Sequence, residues 1–259
     1  MTALIHPTAL VDAGARIGRN VSVGPFSVIG PQAEIGDDSW IGSHVVLDGR
    51  IRIGRNNRIF HFCSLGAPPQ DKKYAGEDTA VEIGDNNTIR EYVTINRGTA
   101  LDAGVTRLGS DNWVMAYVHF AHDCQIGSRT IFANACQLAG HVTVGDWAVF
   151  GATTLVHQHV HIGAHAFTGM GTYLPQDLPP YVMAAGNMAQ PHGINKQGLK
   201  RRGFTPEAIA GLKQAYRTLY RSGLALDEAK RQLETQAAEC APVRDILEFL
   251  ARSQRGIIR

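Results

Sequence analysis

Histidines are unevenly spread along this chain, and their distribution suggests a site of acid–base chemistry. Of the eleven histidines in 259 residues, seven lie between positions 119 and 165. A histidine ring titrates near neutral pH, so it can take a proton from a hydroxyl or amine nucleophile. The clustered residues are His119, His122, His141, His157, His159, His161 and His165.

His122 has the sequence neighbours that a general base needs. Asp123 follows it directly and could orient its ring or stabilise the imidazolium. Gly140 lies 18 residues later, and its backbone N–H could face the oxyanion that forms when a thioester carbonyl is attacked. Gln158 lies a further 18 residues on. Chemistry of this kind needs no metal.

Two other interpretations of the histidines stay open at this point. They could be ordinary polar surface residues, which is the simpler reading for His159, His161 and His165 individually. Neutral imidazoles are also zinc ligands, so histidines from neighbouring turns could share an ion within one chain or across a subunit boundary.

The elements that must position these residues are defined by a six-residue period. Apolar residues recur at every sixth position from Ile5 to Leu65, return at Ile83, and run again from Leu108 to Leu174, where only Thr168 is not apolar. The position after the apolar residue is commonly glycine, and the fifth position is usually small or β-branched. This pattern predicts short strands wound into a parallel β-helix with a turn at the glycine.

The pattern resembles that of the hexapeptide-repeat proteins, which implies a left-handed β-helix with three six-residue faces per coil. With strands stacked about 4.8 Å apart, residues 18 positions apart become neighbours on one face. His122, Gly140 and Gln158 then share an outward-facing column, and His141 and His159 share the next one. Cysteines at the small fifth position are predicted to pack in the core; they are Cys63, Cys124 and Cys136.

Two segments interrupt the period, and a helical pattern follows it. Residues 66–82 and 96–107 are predicted to be loops extruded from the coil. Thr205 and Pro206 form a helix start, and helical spacing continues toward Gly223. Further helices are predicted at about 227–238 and 242–253. The chain therefore divides into a β-helix over 1–190 and a helical domain over 191–259.

Composition excludes several classes of function. The net charge of +2 gives no polybasic signature of nucleic-acid binding. An apolar run of 18 or more residues is missing from the sequence, so we expect no membrane span. Four cysteines and the lack of a charged-then-apolar leader favour a protein of the reducing cytoplasm.

Several longer motifs, taken in order, resemble one family of hexapeptide-repeat enzymes. The similarity is to the acyl-(acyl carrier protein)–UDP-N-acetylglucosamine O-acyltransferases, the first enzymes of lipid A assembly, and it covers essentially the whole chain. The motifs that carry it are the segments at 70–77 (QDKKYAGE), 119–124 (HFAHDC), 138–142 (LAGHV), 156–158 (VHQ), 198–204 (GLKRRGF) and 252–256 (RSQRG).

The resemblance implies a role for each matching residue. His122 would deprotonate the sugar 3-hydroxyl with support from Asp123, and Gly140 would supply the oxyanion donor. Asp71 and Lys73 would come from the loop of a neighbouring subunit. The sugar and acyl sites would be lined by His119, His141, His157 and Gln158, and the nucleotide would be held by Asn195, Arg201 and Arg202.

The resemblance also implies partners and an assembly. The donor would be acyl carrier protein, the acceptor UDP-N-acetylglucosamine and the assembly a homotrimer, with no cofactor and no metal. Three residues depart from the common family pattern: Gln197 stands where an acid is usual near the uracil, Met188 where histidine is common and Met170 where glycine is common. Met170 and Met188 are expected to limit acyl-chain length.

Three alternative functions remain for the structure to test. Another hexapeptide acyltransferase, acting on an amino-sugar nitrogen, would normally carry a separate sugar-binding domain before the coil, whereas the coil here starts at Ile5. A zinc enzyme resembling the γ-class carbonic anhydrases would use the histidines as ligands. An inert β-helical scaffold would leave both the histidine at 157 and the loop at 66–82 unexplained.

Overall fold

The computed structural model describes residues 4–259 and shows a left-handed parallel β-helix followed by a small group of helices. The predicted fold class is therefore confirmed. Each full coil of 18 residues contributes one short strand to each of three parallel sheets, as in the pairing of Val46 with Ser64. The strands are short because the chain must turn a corner after every two or three paired residues.

The three faces of the coil are called sheets A, B and C. Sheet A contains β1 (Leu4–Ile5), β4 (Ser22–Val23), β7 (Trp40–Ile41), β10 (Arg58–Ile59), β13 (Thr88–Ile89), β16 (Trp113–Val114), β19 (Ile131–Phe132), β22 (Val149–Phe150), β25 (Phe167–Thr168), β27 (Val182–Ala185) and β28 (Gln190–Ile194), the last antiparallel. Sheet B contains β2 (Leu10–Val11), β5 (Val28–Ile29), β8 (Val46–Leu47), β11 (Ser64–Ala67), β14 (Thr94–Asn96), β17 (His119–Phe120), β20 (Gln137–Leu138), β23 (Leu155–Val156) and β26 (Tyr173–Leu174). Sheet C contains β3 (Arg16–Ile17), β6 (Ala33–Ile35), β9 (Arg50–Ile53), β12 (Ala80–Ile83), β15 (Val105–Leu108), β18 (Gln125–Ile126), β21 (Thr143–Val144) and β24 (His161–Ile162).

The apolar residues of the six-residue period fill the interior of the coil. Ile41, Ile59, Phe120 and Phe132 are almost completely buried, because alternate side chains of a strand point to opposite faces. The phenylalanines stack along the axis, with the Phe132 and Phe150 ring centroids 4.4 Å apart. The three cysteines predicted to lie in the core are buried as free thiols.

The glycines after the apolar residues have a different role from the predicted one. Left-handed backbone occurs two residues after the glycine, for example at Phe26, which has a φ of 60°. A Cβ added at Gly24 would lie 2.7 Å from the backbone carbon of Gly42, one coil away. Glycine is therefore needed because successive coils approach closely at this position, whereas the turn lies further on.

Both interruptions of the period leave the coil where the chain passes from sheet B to sheet C, which we call the B–C edge. Paired residues that are normally 18 apart are 30 apart between Ser64 and Thr94, and 25 apart between Thr94 and His119. The strand-free parts are residues 68–79, after β11, and 97–104, after β14. The two extrusions therefore lie side by side along one edge of the coil.

Four helices follow the coil: α1 (Lys196–Arg201), α2 (Pro206–Tyr220), α3 (Leu226–Glu239) and α4 (Val243–Arg252). The side chain of Thr205 accepts a hydrogen bond from the Ala208 N–H, which confirms the predicted helix start. The short helix α1 and the strand β28 are additions to the prediction. The proposed division at residue 190 stays a prediction.

Within residues 4–259, no helix combines the length and apolar character required to cross a bilayer.

Candidate active site

Seven of the predicted site residues line one groove at the B–C edge, namely Asp71, Lys73, His119, His122, Gly140, His141 and Gln158. His122, Gly140 and Gln158 lie at this edge on three successive coils, and His141 lies next to Gly140. They line a cavity of about 610 Å³. Its complete lining is Gln70, Asp71, Lys73, Asn96, Leu101, His119, Ala121, His122, Ala139, Gly140, His141, Gln158 and His159.

His122 and Asp123 form a hydrogen-bonded pair. The His122 Nδ1 lies 2.9 Å from the Asp123 Oδ2, and the Asp123 carboxylate is fully buried. Because a carboxylate accepts, Nδ1 carries the hydrogen and Nε2 is left with a lone pair. The backbone of Asp123 is left-handed, with a φ of 60°, at the turn position that recurs throughout the coil. The repeat thus places the carboxylate beneath the ring.

Gly140 lies directly beside the His122 ring. A Cβ at this position would be 2.5 Å from Cε1 and 2.7 Å from Nε2 of His122, so only glycine leaves room for the ring. No group among residues 4–259 accepts a hydrogen bond from the Gly140 N–H. Because it lines the groove and has no internal acceptor, this N–H is free to bind a substrate oxygen.

His141 is held by a second carboxylate. Its Nδ1 is 2.8 Å from the Asp102 Oδ2 and 3.9 Å from the Asp123 Oδ2. The hydrogen bond from His141 is the main reason why the pKa of Asp102 is lower than usual. The His141 ring makes an edge contact with His122, with centroids 5.0 Å apart, and stacks on His159 at 4.3 Å.

His119 contributes a ring at the floor of the groove. Its Nδ1 is 2.7 Å from the Thr94 Oγ1, and burial lowers its pKa. This ring is therefore neutral at physiological pH. Burial also lowers the pKa of His159, which is more exposed and stacks at the rim.

The structure corrects the expected origin of Asp71 and Lys73. Both line the groove beside His122 of their own chain, so no neighbouring subunit is needed to bring them there. Segment 68–79 is anchored by the Tyr74 hydroxyl, which accepts a hydrogen bond of 3.0 Å from the Arg97 Nε. The reason is topological, because this segment leaves the coil at the same edge as His122.

Sequence reasoning missed several residues of the groove, among them Asn96 and Leu101. Asn96 is buried, and its Oδ1 has no hydrogen-bond partner within residues 4–259. A buried amide oxygen without a donor is costly, so a ligand donor at this position would be favourable. The signal available in the sequence was weak: Asn96 is the first residue of the second predicted interruption of the period, residues 96–107.

The donor set at the groove resembles that of a metal site. One nitrogen each of His122 and His141 and a carboxylate oxygen of Asp123 lie within 4.8 Å of one another. The Asp123 oxygens, however, already accept hydrogen bonds from the Thr99 N–H and from the Thr99 hydroxyl, at 2.7–3.1 Å. The hydrogen bonds of this carboxylate therefore fit a pair that orients a base.

The predicted nucleotide residues lie at a different edge of the same chain. Asn195 caps α1, accepting from the Gly198 N–H, and donates through its Nδ2 to the carbonyl of His165. Arg202 lies over the Trp147 ring at 5.0 Å and is 3.0 Å from the His165 Nδ1. Trp147 and His165 lie where the chain passes from sheet C to sheet A, the C–A edge. Within a single chain, Asn195 and Arg202 therefore do not reach the groove that contains His122.

The remaining predicted residues lie around these two edges. His157 is next to Gln158, with its Nδ1 3.1 Å from the Gln158 carbonyl, and is outside the cavity lining given above. Arg201 is exposed at the end of α1. Met170 and Met188 are 79% and 55% exposed, in the turn before β26 and in the hairpin between β27 and β28. Both methionines are thus accessible from outside the single chain.

A coil of six-residue repeats with an oriented histidine, an unpaired glycine N–H and an open groove defines an acyltransferase of the hexapeptide-repeat class. The chain is 58% identical over 257 residues to the acyl-(acyl carrier protein)–UDP-N-acetylglucosamine O-acyltransferase of Thiobacillus denitrificans, covering 99% of this chain and 100% of that one. It belongs to this family of O-acyltransferases.

Other relatives and solved structures agree with this assignment. The enzyme of the same name from Janthinobacterium sp. is 56% identical over 261 residues, covering 99% of this chain and 100% of the relative. The UDP-N-acetylglucosamine acyltransferase of Francisella novicida has a TM-score of 0.97 at 42% identity, covering 99% of this chain and 94% of that one. Residues 177–258 match the family model described as UDP-N-acetylglucosamine O-acyltransferase, domain 2.

Proposed function

We propose that this enzyme transfers an R-3-hydroxyacyl group from acyl carrier protein to the 3-hydroxyl of UDP-N-acetylglucosamine, the first step of lipid A biosynthesis. The observation that supports it most directly is the His122–Asp123 pair beside the unpaired N–H of Gly140. The names of the relatives supply the substrates, and the groove supplies the groups that such a transfer requires.

The reaction follows from the tautomer of His122. Its Nε2 takes the proton of the sugar hydroxyl as the oxygen attacks the thioester carbonyl carbon. The carbonyl oxygen becomes an oxyanion and accepts a hydrogen bond from the Gly140 N–H. As the tetrahedral intermediate collapses, the C–S bond breaks and the departing thiolate takes the proton back from His122. The buried Asp123 carboxylate stabilises the imidazolium between the two proton transfers.

The other groups of the groove bind the acceptor sugar. His119, Asn96 and Gln158 offer neutral hydrogen-bonding groups to its hydroxyls and acetamido group. Asp71 and Lys73 close the same cavity from segment 68–79, and His157 lies just outside it. Neutral partners suit a sugar, because a bound hydroxyl needs both donors and acceptors.

We also propose that the nucleotide is held by a second subunit. Asn195, Arg201 and Arg202 lie at the C–A edge, whereas His122 lies at the B–C edge. On a three-sided prism these edges meet when sheet B of one chain packs against sheet A of the next. A rotation of 120° closes such heterologous contacts into a trimer.

The outer surfaces of the three sheets support this packing. Sheet C exposes charged side chains, namely Arg16, Glu34, Arg52, Glu82 and Arg107. Sheets A and B instead expose apolar side chains, namely Val28, Val46, Trp113, Ile131 and Leu155. Stacked rings follow the A–B edge, from Phe26 through His44, Phe62 and Tyr92 to Tyr117. Exposed apolar side chains and rings that gather on two of three sheets favour an interface there, so the A–B edges would face the three-fold axis and sheet C the solvent.

An acidic carrier protein suits the surface beside the helices. A cavity of about 680 Å³ between β28, α1 and α2 is rimmed by cations, namely Lys196, Lys200, Lys213, Arg217 and Arg221. Its floor is apolar, with Ile209 and Tyr216 among its residues. A basic rim attracts an acidic partner over long distances and raises its association rate.

A transfer assay tests the function directly. We expect the purified protein to convert UDP-N-acetylglucosamine to its 3-O-acyl derivative with 3-hydroxyacyl thioesters of acyl carrier protein, and to keep this activity in the presence of chelators. Stoichiometric zinc, with loss of activity on chelation, would instead favour a metal enzyme built on His122, Asp123 and His141. The cytoplasmic location stays a prediction.

A further inference from the structure

Segment 97–104, within the second interruption of the period, is linked to both histidines of the groove by carboxylates. It binds Asp123, the partner of His122, and it supplies Asp102, the partner of His141. It begins after β14 and ends before β15, so it crosses the B–C edge immediately before the coil that carries His122. Its first and last residues are fixed to the coil: the Arg97 N–H donates to the carbonyl of Ala67, and the Ala80 N–H donates to the carbonyl of Gly104. The segment is therefore a supported strap rather than a free loop.

Thr99 binds the carboxylate beneath His122. Its N–H lies 3.0 Å from the Asp123 Oδ1, and its hydroxyl donates to the Asp123 Oδ2 at 2.7 Å. Thr99 is buried. A Cβ added at the preceding residue, Gly98, would lie 2.8 Å from the Asp123 Oδ1, so the strap reaches the carboxylate only because that residue is glycine.

Asp102, three residues further along the strap, binds the second histidine. Its Oδ2 accepts a hydrogen bond of 2.8 Å from the His141 Nδ1. The pKa of Asp102 is lowered mainly by this bond, so its carboxylate is ionised at neutral pH. Because the His141 Nδ1 carries the hydrogen that it donates to Asp102, the His141 Nε2 keeps a lone pair. Asp123 has the same effect on the His122 ring.

We infer that Thr99 and Asp102 are positioning residues: the strap sets the orientation and tautomer of both groove histidines, and the His141 Nε2 accepts a hydrogen bond from a hydroxyl of the acceptor sugar. The part about the sugar rests on the proposed function. The part about the tautomer follows from the contacts of the apo protein. Neither Thr99 nor Asp102 touches the reacting atoms.

The two residues predict different kinetic effects in the full-length enzyme. Asp102→Ala is expected to raise KM for UDP-N-acetylglucosamine by about tenfold with a smaller change in kcat, because a charge-assisted hydrogen bond that orients a binding group is lost. Thr99→Val is expected to lower kcat by about tenfold or more with little change in KM, because Asp123 loses its hydroxyl donor. Asp102→Glu and Thr99→Ser keep the groups and should restore most of each loss.

Asp78→Ala is the matched control. Asp78 is an exposed acid at the end of segment 68–79, 3.6 Å from the Arg50 guanidinium and outside the lining of the groove. This variant removes the same charge from the neighbouring extrusion and should leave both kinetic constants at the wild-type values.

A nitrogen-15 NMR measurement of the histidine rings, made without substrate, separates this inference from the proposed function. In the wild type His141 should carry its hydrogen on Nδ1, and in Asp102→Ala the population should shift toward Nε2–H. This shift would support the strap even if the wild type failed the transfer assay. An unchanged tautomer in Asp102→Ala, or a kcat in Thr99→Val equal to that of the wild type, would overturn it. A loss of activity that Thr99→Ser does not restore would also overturn it.

Discussion

The His122 ring occupies the space that a side chain at Gly140 would need: an added Cβ would lie 2.5 Å from Cε1 and 2.7 Å from Nε2. A clash of this size forces the ring to move. We therefore expect Gly140→Ala to reduce kcat by at least about a hundredfold, since misplacing a reacting group by about 1 Å costs that much. The trimer should remain folded, and steady-state kinetics with circular dichroism would show both results.

Gly30→Ala provides the comparison for this variant. Gly30 lies at the same B–C edge near the start of the coil, and a Cβ there would meet the Leu47 carbonyl oxygen at 3.1 Å. A small local adjustment relieves this contact, so activity should stay close to normal. Equal losses in the two glycine variants would show that the effect at Gly140 is a general disturbance of the coil.

His122→Ala tests the base itself. The variant removes the acceptor of the proton while leaving a small apolar residue at an edge position, so folding and assembly should be kept. We expect the rate to fall by about 10²–10⁴, the range that a positioned acid–base group contributes. His6→Ala, at an exposed position in the first coil, should have wild-type turnover. Near-normal activity of His122→Ala would exclude it as the base.

Mixed trimers test whether each site uses two subunits. His122→Ala and Arg202→Ala change the B–C edge and the C–A edge respectively, and each homotrimer should be nearly inactive. After subunit exchange at equal amounts, about one site in four should combine two unaltered edges, as expected for heterologous contacts in a ring. Activity should then rise to about a quarter of the wild-type value. If the subunits are shown to exchange and activity still does not recover, each site must use His122 and Arg202 of the same subunit.

The coil and much of the site were predictable because the repeat fixes position along and around the axis. A residue 18 positions from another must lie beside it, which placed His122, Gly140 and Gln158 in one column. The same rule puts Asp123 in line with His141 and His159, although the column predicted from the sequence contained only the two histidines. The 3.9 Å between the Asp123 Oδ2 and the His141 Nδ1 reflects it.

The contacts made by the extruded segments were not predictable in the same way. Thr99 and Asp102 belong to a segment that does not repeat, so no spacing rule relates them to Asp123 or His141. Asn195 shows a second limit: family resemblance pointed to a nucleotide contact, whereas its side chain also caps α1. A cap is recognised only when the helix is known, and α1, with six residues, is too short for a clear helical period.

Protonation of His165 should destabilise the protein in mild acid. Burial lowers the pKa of His165 to about 4, and the nearby Arg202 guanidinium adds to this effect. Asp245 and Asp146 act in the opposite direction but have smaller effects. The unfolded chain takes up this proton near its ordinary pKa of about 6.5. Between about pH 6.5 and pH 4 the unfolded state therefore binds more protons, and stability falls as the pH falls through this window.

His165→Gln is the variant that isolates this effect. The glutamine amide oxygen can still accept a hydrogen bond from Arg202 but does not titrate in this range. We expect the melting temperature of the wild type to drop more between pH 7.5 and pH 5 than that of His165→Gln. Burial lowers the pKa of His119 and His159 too, so part of the drop should persist. His6→Gln should behave as the wild type, and identical drops in all three proteins would refute the assignment.

Acyl-chain selection should depend on Met170. This residue lies 48 positions after His122, which corresponds to about 13 Å along the coil axis at about 4.8 Å per coil. Met170 is 79% exposed in the single chain. The hairpin that carries Met188 is joined to the next strand, β26, by the Ala189 N–H, which donates to the carbonyl of Tyr173. Met170 lies at the A–B edge, between β25 and β26, so a groove from His122 would reach it by crossing the outer surface of sheet B. We expect both methionines to close the far end of such an acyl groove between subunits.

Replacing Met170 by glycine should open that end. Each excluded methylene forgoes about 0.8 kcal/mol of burial, so two to four methylenes correspond to a preference of roughly 15-fold to 200-fold. We expect the wild type to prefer 3-hydroxyacyl chains of about ten to twelve carbons over fourteen, and Met170→Gly to shift toward the longer chain. Competition between thioesters of graded length measures this ratio directly. An unchanged ratio in Met170→Gly would mean that the methionine only packs against the neighbouring subunit and that another residue limits the chain.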